Sequence, residues 1–303
     1  MIQVRGLTKR YGEKVAVDNI TFDVLPGRVT GFLGPNGSGK STTMRAIIGL
    51  DRPDAGTVRV NGQSYHDLEA PLTKVGALLE ARATHPGRSA RNHLAFLAAA
   101  SGIDRKRVDE VLGLVGLSDV ADKRANNFSL GMGQRLGIAG ALLGDAPTVL
   151  FDEPVNGLDP EGIIWVRNLL KGLAQEGRTV LISSHLMAEM ALTADHLIVI
   201  GRGRLIADSS VEEFVSTAST DDVLVRARVS TDLRTALIAN GALVTDEPDG
   251  ALVVRRMGVE EVGRLAADTR TVLHELTPRR ASLEEAFMEL TKDSLEYTAQ
   301  VAS

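Results

Sequence analysis

The stretch Val-Thr-Gly-Phe-Leu-Gly34-Pro35-Asn36-Gly37-Ser38-Gly39-Lys40-Ser41-Thr42 constrains this chain more than any other. Residues 29–33 read as a short buried strand, and a helix is predicted from Lys40 to about residue 49. The glycine-rich connection fits GxxxxGK[ST]. Glycines let the backbone curl so that successive N–H groups point at one phosphate, and the helix start adds the positive end of its dipole. Lys40 is placed to reach the β- and γ-phosphates, and the Ser41 hydroxyl to ligate Mg²⁺, with Thr42 as a further hydroxyl. A chance match in a glycine-rich loop is the alternative. The position between a strand and a helix argues against it.

Residues 147–153, Pro-Thr-Val-Leu-Phe-Asp152-Glu153, form an apolar strand ending in two acids. Alone, such a run is usually core followed by a turn. With the phosphate loop upstream, Asp152 is a candidate for the Mg²⁺ shell and Glu153 for general base toward the attacking water. Further strands are predicted at 2–8, 20–24, 58–60, 75–79, 179–183 and 197–200, and helices at 160–175 and 186–193. This alternation predicts a largely parallel, doubly wound α/β sheet. Between residues 88 and 145 alanine and leucine recur at helical spacing, which reads as an inserted helical subdomain. From residue 219 the pattern changes to short β runs, turn signals and helices, predicting a small α+β unit.

A third motif, Asn127-Phe-Ser129-Leu130-Gly131-Met-Gly-Gln134-Arg135, stands before an Ala/Leu helix. At this point the chain resembles the ABC ATPase family, whose signature has the form LSGGxxQR just ahead of the second carboxylate motif. Phe128 and Leu130 depart from that form. Ser129, Gly131, Gln134 and Arg135 keep it. The resemblance covers residues 1 to about 217 and implies an ABC-type P-loop NTPase: a mostly parallel sheet, an antiparallel β subdomain and a helical subdomain at about 86–145. Residues 218–303 would be the accessory α+β domain.

The resemblance also implies roles. Ser129, Leu130, Gly131 and Gln134 would meet the γ-phosphate of ATP bound to a second copy, giving a homodimer across two ATPs. Tyr11 would stack on adenine, Asp159 would lie in the D-loop, and His185 would be the switch histidine touching the γ-phosphate. Asp159-Pro160 equally reads as a helix N-cap with proline at the first position. Glu80 stands where the family places its Q-loop glutamine, beside Mg²⁺ and the membrane partner. That substitution resembles lantibiotic- and bacitracin-resistance exporters. The implied function is an ATP-hydrolysing subunit, with ATP and Mg²⁺, that powers a separate membrane permease from the cytoplasmic face of the membrane. Ribosome- or DNA-acting relatives and P-loop kinases are the rival readings.

Charge and composition bear on those rivals. The net charge is -5; residues 221–303 hold 10 Lys/Arg against 15 Asp/Glu, leaving residues 1–220 balanced at 24 of each. Neither part shows the basic excess of a protein that neutralises many phosphates, so no nucleic-acid partner is expected. The absence of cysteine fits a reducing compartment. The longest apolar run, at 94–100, is far below the roughly 18 residues of a membrane span.

Overall fold

The structure, a computed structural model, describes residues 1–80, 84–85, 87–218, 222–227, 231–247, 249–279 and 282–291. Two long antiparallel strands open the chain, β1 (Ile2–Tyr11) and β2 (Lys14–Val24). They are followed by β3 (Val29–Leu33), α1 (Lys40–Ile47) and β4 (Ala55–Val60). β4 returns to β1, completing an antiparallel sheet in the order β2-β1-β4. Ile2, Val4 and Leu7 of β1 are fully buried while Arg5 is exposed, the alternation expected of a sheet with one wet face.

β5 (Val75–Leu78) precedes the helical insertion: α2 (Ala90–Ala100), α3 (Lys106–Leu114) and α4 (Leu130–Leu142). Ser89 caps α2 by accepting from the Asn92 N–H at 3.2 Å. The predicted start of this insertion, residue 86, lies outside the described residues. Alternation then resumes with β6 (Thr148–Asp152), α5 (Pro160–Gln175), β7 (Thr179–Ser183), α6 (Met187–Thr193), β8 (His196–Gly201) and β9 (Arg204–Ser210). The main sheet runs β5-β6-β7-β3-β8-β9, parallel except for β9 against β8. Every residue of β3 and β7 is buried, as central parallel strands covered on both faces require. The C-terminal ends of β6, β7 and β3 therefore lie side by side. That is where open α/β sheets bind ligands. Sequence reading missed β9, whose RLIADSS has no two-residue alternation and is mostly half-buried.

Contacts divide the chain into Met1–Val211 and a second unit, Glu212–Leu290. The sequence instead suggested a boundary at 217/218. The small and polar residues that signal a break come only at the end of α7 (Val211–Ala218), whereas the contact division precedes almost all of that helix. The second unit continues with β10 (Asp222–Ala227), α8 (Thr231–Ala239), β11 (Leu243–Asp246), β12 (Leu252–Arg255), α9 (Val259–Asp268), β13 (Leu273–Arg279) and α10 (Leu283–Thr291). Its antiparallel sheet has the order β11-β12-β10-β13. Val223, Val225 and Val254 on the sheet share one core with Leu233 and Leu237 of α8 and Val262 and Leu265 of α9. The strand expected over 223–229 ends at Ala227, and residues 228–230 lie outside the described ones.

Candidate active site

The phosphate loop leaves the buried tip of β3 and turns into α1 through Gly39, whose φ of 106° is left-handed. A Cβ there would come within 2.5 Å of the Ala16 carbonyl oxygen. Gly34 is as tightly enclosed, since a Cβ would lie 2.4 Å from both the Ile200 carbonyl oxygen and Ser38 Oγ. Lys40 is only 8% exposed. Its ammonium folds back over the loop, donating to the carbonyls of Gly34 at 2.5 Å and Pro35 at 3.2 Å. Burial lowers its pKa below the ordinary lysine value, against the opposing pull of Glu153 and Asp152. The Ser38 hydroxyl is buried with no hydrogen-bond partner.

Asp152, at the end of β6, draws the loop and β7 together. The Ser41 hydroxyl donates to its Oδ2 at 3.0 Å, and the Ser183 hydroxyl donates to Oδ1. Glu153 follows with a left-handed φ of 51°, a conformation that costs a non-glycine residue about 1–3 kcal/mol. Three contacts hold it there. Its N–H donates to Ser183, at 3.2 Å to the carbonyl and 3.0 Å to Oγ, and its own carbonyl accepts the Gln134 amide at 3.0 Å. Its carboxylate Oε2 lies 2.7 Å from His185 Nδ1 and accepts the His185 N–H at 3.3 Å. The tip of β7 thus sets the direction of both acids. Ser183 carries out this role although the sequence marked it only as part of Ser-Ser-His; its burial at a strand end was the available signal.

Tyr11, at the end of β1, is 48% exposed and donates its hydroxyl to Asp51 Oδ2 at 2.7 Å. Arg45 holds the same carboxylate from Nε at 2.8 Å, which keeps Asp51 below the usual carboxylate range. Burial, then the bond to Asp51, raises the Tyr11 pKa. Tyr11, Asn36, Gly37, Lys40, Asp152 and Glu153 are among the residues lining one open cleft of about 380 Å³. The ring is tethered at its hydroxyl, and Lys9 Nζ lies over it, 5.4 Å from its centroid.

Several other expected residues lie outside the lining of this cleft. Ser129 and Leu130 are exposed at the start of α4, away from the lining of this cleft, with Ser129 Oγ accepting the Met132 N–H at 3.2 Å as N-cap. Gly131 packs on the D-loop, where a Cβ would meet the Gly157 carbonyl oxygen at 3.0 Å. Gln134, expected among the residues facing a second copy's ATP, is 3% exposed and turned into its own chain, because its amide is used on the Glu153 carbonyl. Glu80, expected at the metal, is exposed and lines another groove, with Arg45, Leu78, Leu79, His93 and Leu136. The hydrogen bond to Asp51 raises the Arg45 pKa, and the charge of Glu80 adds to it. Asp159 caps α5, accepting the Gly162 N–H at 2.9 Å with Pro160 at the first turn, so the capping alternative accounts for its position.

A phosphate loop on β3, an acid and an adjacent base on β6, and a histidine after β7 define a nucleoside-triphosphate hydrolase of the P-loop class. The family model described as "ABC transporter" matches residues 17–156, and one described as a domain of unknown function matches residues 221–284. The uncharacterized ABC transporter ATP-binding protein YhcH of Bacillus subtilis is 33% identical over 98% of this chain and 97% of its own length. The bacitracin transport ATP-binding protein BcrA of Bacillus licheniformis is 40% identical over 69% of each chain. A dimeric structure of a bacterial ABC transporter cassette superposes with a TM-score of 0.65 at 28% identity, covering 69% of this chain and 98% of that one. Another neighbour, a dimeric cassette in a post-hydrolysis state bound to ADP and Pi, gives 0.64 at 27% identity, covering 69% and 98%. The chain belongs to the family of ABC transporter ATP-binding proteins, and it binds and hydrolyses ATP as the ATP-binding subunit of such a transporter.

Proposed function

We propose that two copies close head-to-tail on two ATPs, each ATP held by Lys40 and Ser41 of one copy and by Ser129 and Gly131 of the other. The carrying observation is the hydrogen-bonded chain Ser41–Asp152–Ser183–Glu153–His185 across the ends of β3, β6 and β7. It would present Asp152 to a metal and Glu153 to a water. Lys40 is already desolvated, so it needs little reorganisation to meet a phosphate. Glu153 accepts the proton of the attacking water, and His185, bonded to Glu153, faces the γ-phosphate. The outward-facing Ser129 supports the two-copy reading, since its N-cap end presents free N–H groups and a hydroxyl to an anion beyond its own chain.

Ser41 and Asp152 are hard oxygen donors and suit Mg²⁺, which keeps several waters and takes its remaining positions from the substrate phosphates. Bound there, Mg²⁺ would supply charge neutralisation between the β- and γ-phosphates. Glu80 has no place in this set; we assign it to the groove it lines. That groove, about 400 Å³ and mainly apolar, would receive an amphipathic helix of a membrane permease. No helix among the described residues is long and apolar enough to cross a membrane. In this reading the chain works from the cytoplasmic face through that permease.

The cargo we assign is a peptide antibiotic, exported. Support comes from Glu80 at the Q-loop position and from the likeness to the bacitracin and lantibiotic transport ATP-binding proteins, at 40% and 32% identity. The test is survival of a sensitive host carrying the chain with its membrane partner. Resistance to bacitracin or a lantibiotic, lost in Glu153→Gln, is the expected result. Equal sensitivity with and without the pair would remove the cargo assignment.

A further inference from the structure

α5 makes two cationic contacts to helices that carry other parts of the site. On one side the Arg135 guanidinium of α4 lies 4.7 Å from the centroid of the Trp165 ring, while its Nη1 donates to the Val115 carbonyl at 3.0 Å. On the other, Arg167 Nη2 donates to Glu189 Oε2 of α6 at 2.6 Å. The two side chains of this second pair are 23% and 26% exposed. A narrow gap beneath them is lined by Val155, Ile163, Val166, Leu170 and Ile182. The ion pair therefore works in a poorly hydrated setting, where its orientation matters more than that of a surface pair.

α6 needs such an anchor. It has seven residues and no side-chain N-cap. That is well below the roughly 12 residues at which an isolated helix becomes even marginal in water. Met190 fixes one face by packing on β3, where a Cβ at Gly31 would fall 2.5 Å from its Sδ. Glu189 fixes the other face to α5. Its carboxylate also sits in the first turn of α6, complementing the helix dipole. His185 stands just before Leu186, the N-cap of α6, and Asp159, the cap of α5, lies about two turns ahead of Arg167.

We propose that the Arg167–Glu189 pair is a positioning device for hydrolysis: it makes α5 a strut that carries movement of the signature helix and D-loop to His185. Neither residue touches the nucleotide cleft. Docking of Ser129 on a second copy's ATP moves α4, Arg135 passes that movement to α5 at Trp165, and the ion pair passes it to α6. Loss of the pair leaves ATP bound but His185 and Glu153 out of register, so kcat falls while affinity holds.

The experiment uses the full-length chain and compares ATPase kinetics and ATP affinity for wild type, Glu189→Gln, Arg167→Gln and the swapped double variant Arg167→Glu/Glu189→Arg. Each single variant is expected to lose kcat by about 10-fold with ATP affinity within about twofold, and the swap to recover most of the loss. Wild-type kcat in both singles would overturn the proposal. So would a folded, ATP-binding swap no better than the singles. Glu189→Gln changes charge with almost no change of shape, so failure of that variant to fold or bind ATP would make the pair a fold-holding contact and overturn the positioning role. The inference rests on the two-copy reading and on hydrolysis at this site; the mass of Glu153→Gln with ATP tests the first separately, and wild-type turnover the second. An inactive wild type removes the hydrolytic reading, whereas an active wild type with unaffected variants removes only the strut.

Discussion

Replacing Lys40 with methionine separates two effects that a less buried lysine would confound. The stem is buried and the ammonium sits on the carbonyls of Gly34 and Pro35. Burial lowers its pKa, so the protonated form is less favoured in the folded chain than in the unfolded one. The sign follows: the charge costs stability at every pH below the folded pKa, and the cost fades as pH rises through that value. Methionine keeps the apolar stem and removes the cost, but leaves the Gly34 carbonyl without its donor, a penalty of about 1–3 kcal/mol. These oppose each other, so the melting temperature without nucleotide should move by only a few degrees. ATP binding has no such compensation. A unit charge about 4 Å from a phosphate charge, at an effective dielectric of about 20, contributes about 4 kcal/mol. At about 1.4 kcal/mol per decade, that is close to a thousandfold in affinity. Calorimetric titration with Mg-ATP, paired with thermal denaturation, reads both. Affinity within about threefold of wild type would refute the placement of the phosphates at this loop.

The other substitutions report on neighbouring parts. Tyr11→Ala should weaken ATP binding by the stacking contribution of one base, about 1–3 kcal/mol; Tyr11→Phe should keep most of it, and equal losses in fluorescence-monitored titrations would mean that the hydroxyl, not the ring, matters. Ser183→Ala removes the donor to Asp152 Oδ1 and one acceptor for the Glu153 N–H. It should lower kcat by about 10-fold or more in steady-state assays while ATP affinity stays within a few-fold, and an unchanged kcat would show that β7 does not orient the acids. Glu80→Ala should leave the Mg²⁺ dependence of ATPase intact and lower export from reconstituted vesicles more than hydrolysis; a shifted Mg²⁺ requirement would return Glu80 to the metal.

What the sequence made legible was local. The loop from Gly34 to Thr42, the strand ending in Asp152-Glu153 and the Asp159-Pro160 cap are contiguous patterns, and the surrounding strands and helices follow from periodicity. What it hid depends on distant pairings. Nothing adjacent to Ser183 says that its hydroxyl will meet an acid 31 positions away, or that Asp51 will tether a tyrosine 40 positions earlier. Gln134 looked outward because the motif as a whole did; its side chain turns inward because the strained backbone of Glu153 leaves a carbonyl that needs a donor. Glu80 followed from alignment with a motif, and the groove it lines with Arg45 has no local sequence signal. The unit boundary read from the sequence differs from the contact division for a related reason, since composition changes at the end of α7 and the contacts divide at its start.

ATP-driven pairing of two chains is the central claim, and the mass of Glu153→Gln in solution tests it most directly. An amide cannot take the proton of water, so this variant should hold ATP without splitting it. Sedimentation at saturating Mg-ATP is expected to show a dimer carrying two ATPs, which dissociates on removal of nucleotide. Adding Ser129→Arg should return the protein to monomers that still bind ATP, because the side chain collides with the γ-phosphate of the facing site. A Glu153→Gln chain that stays monomeric with ATP bound, at every protein concentration tested and with its membrane partner present, would contradict the two-copy site.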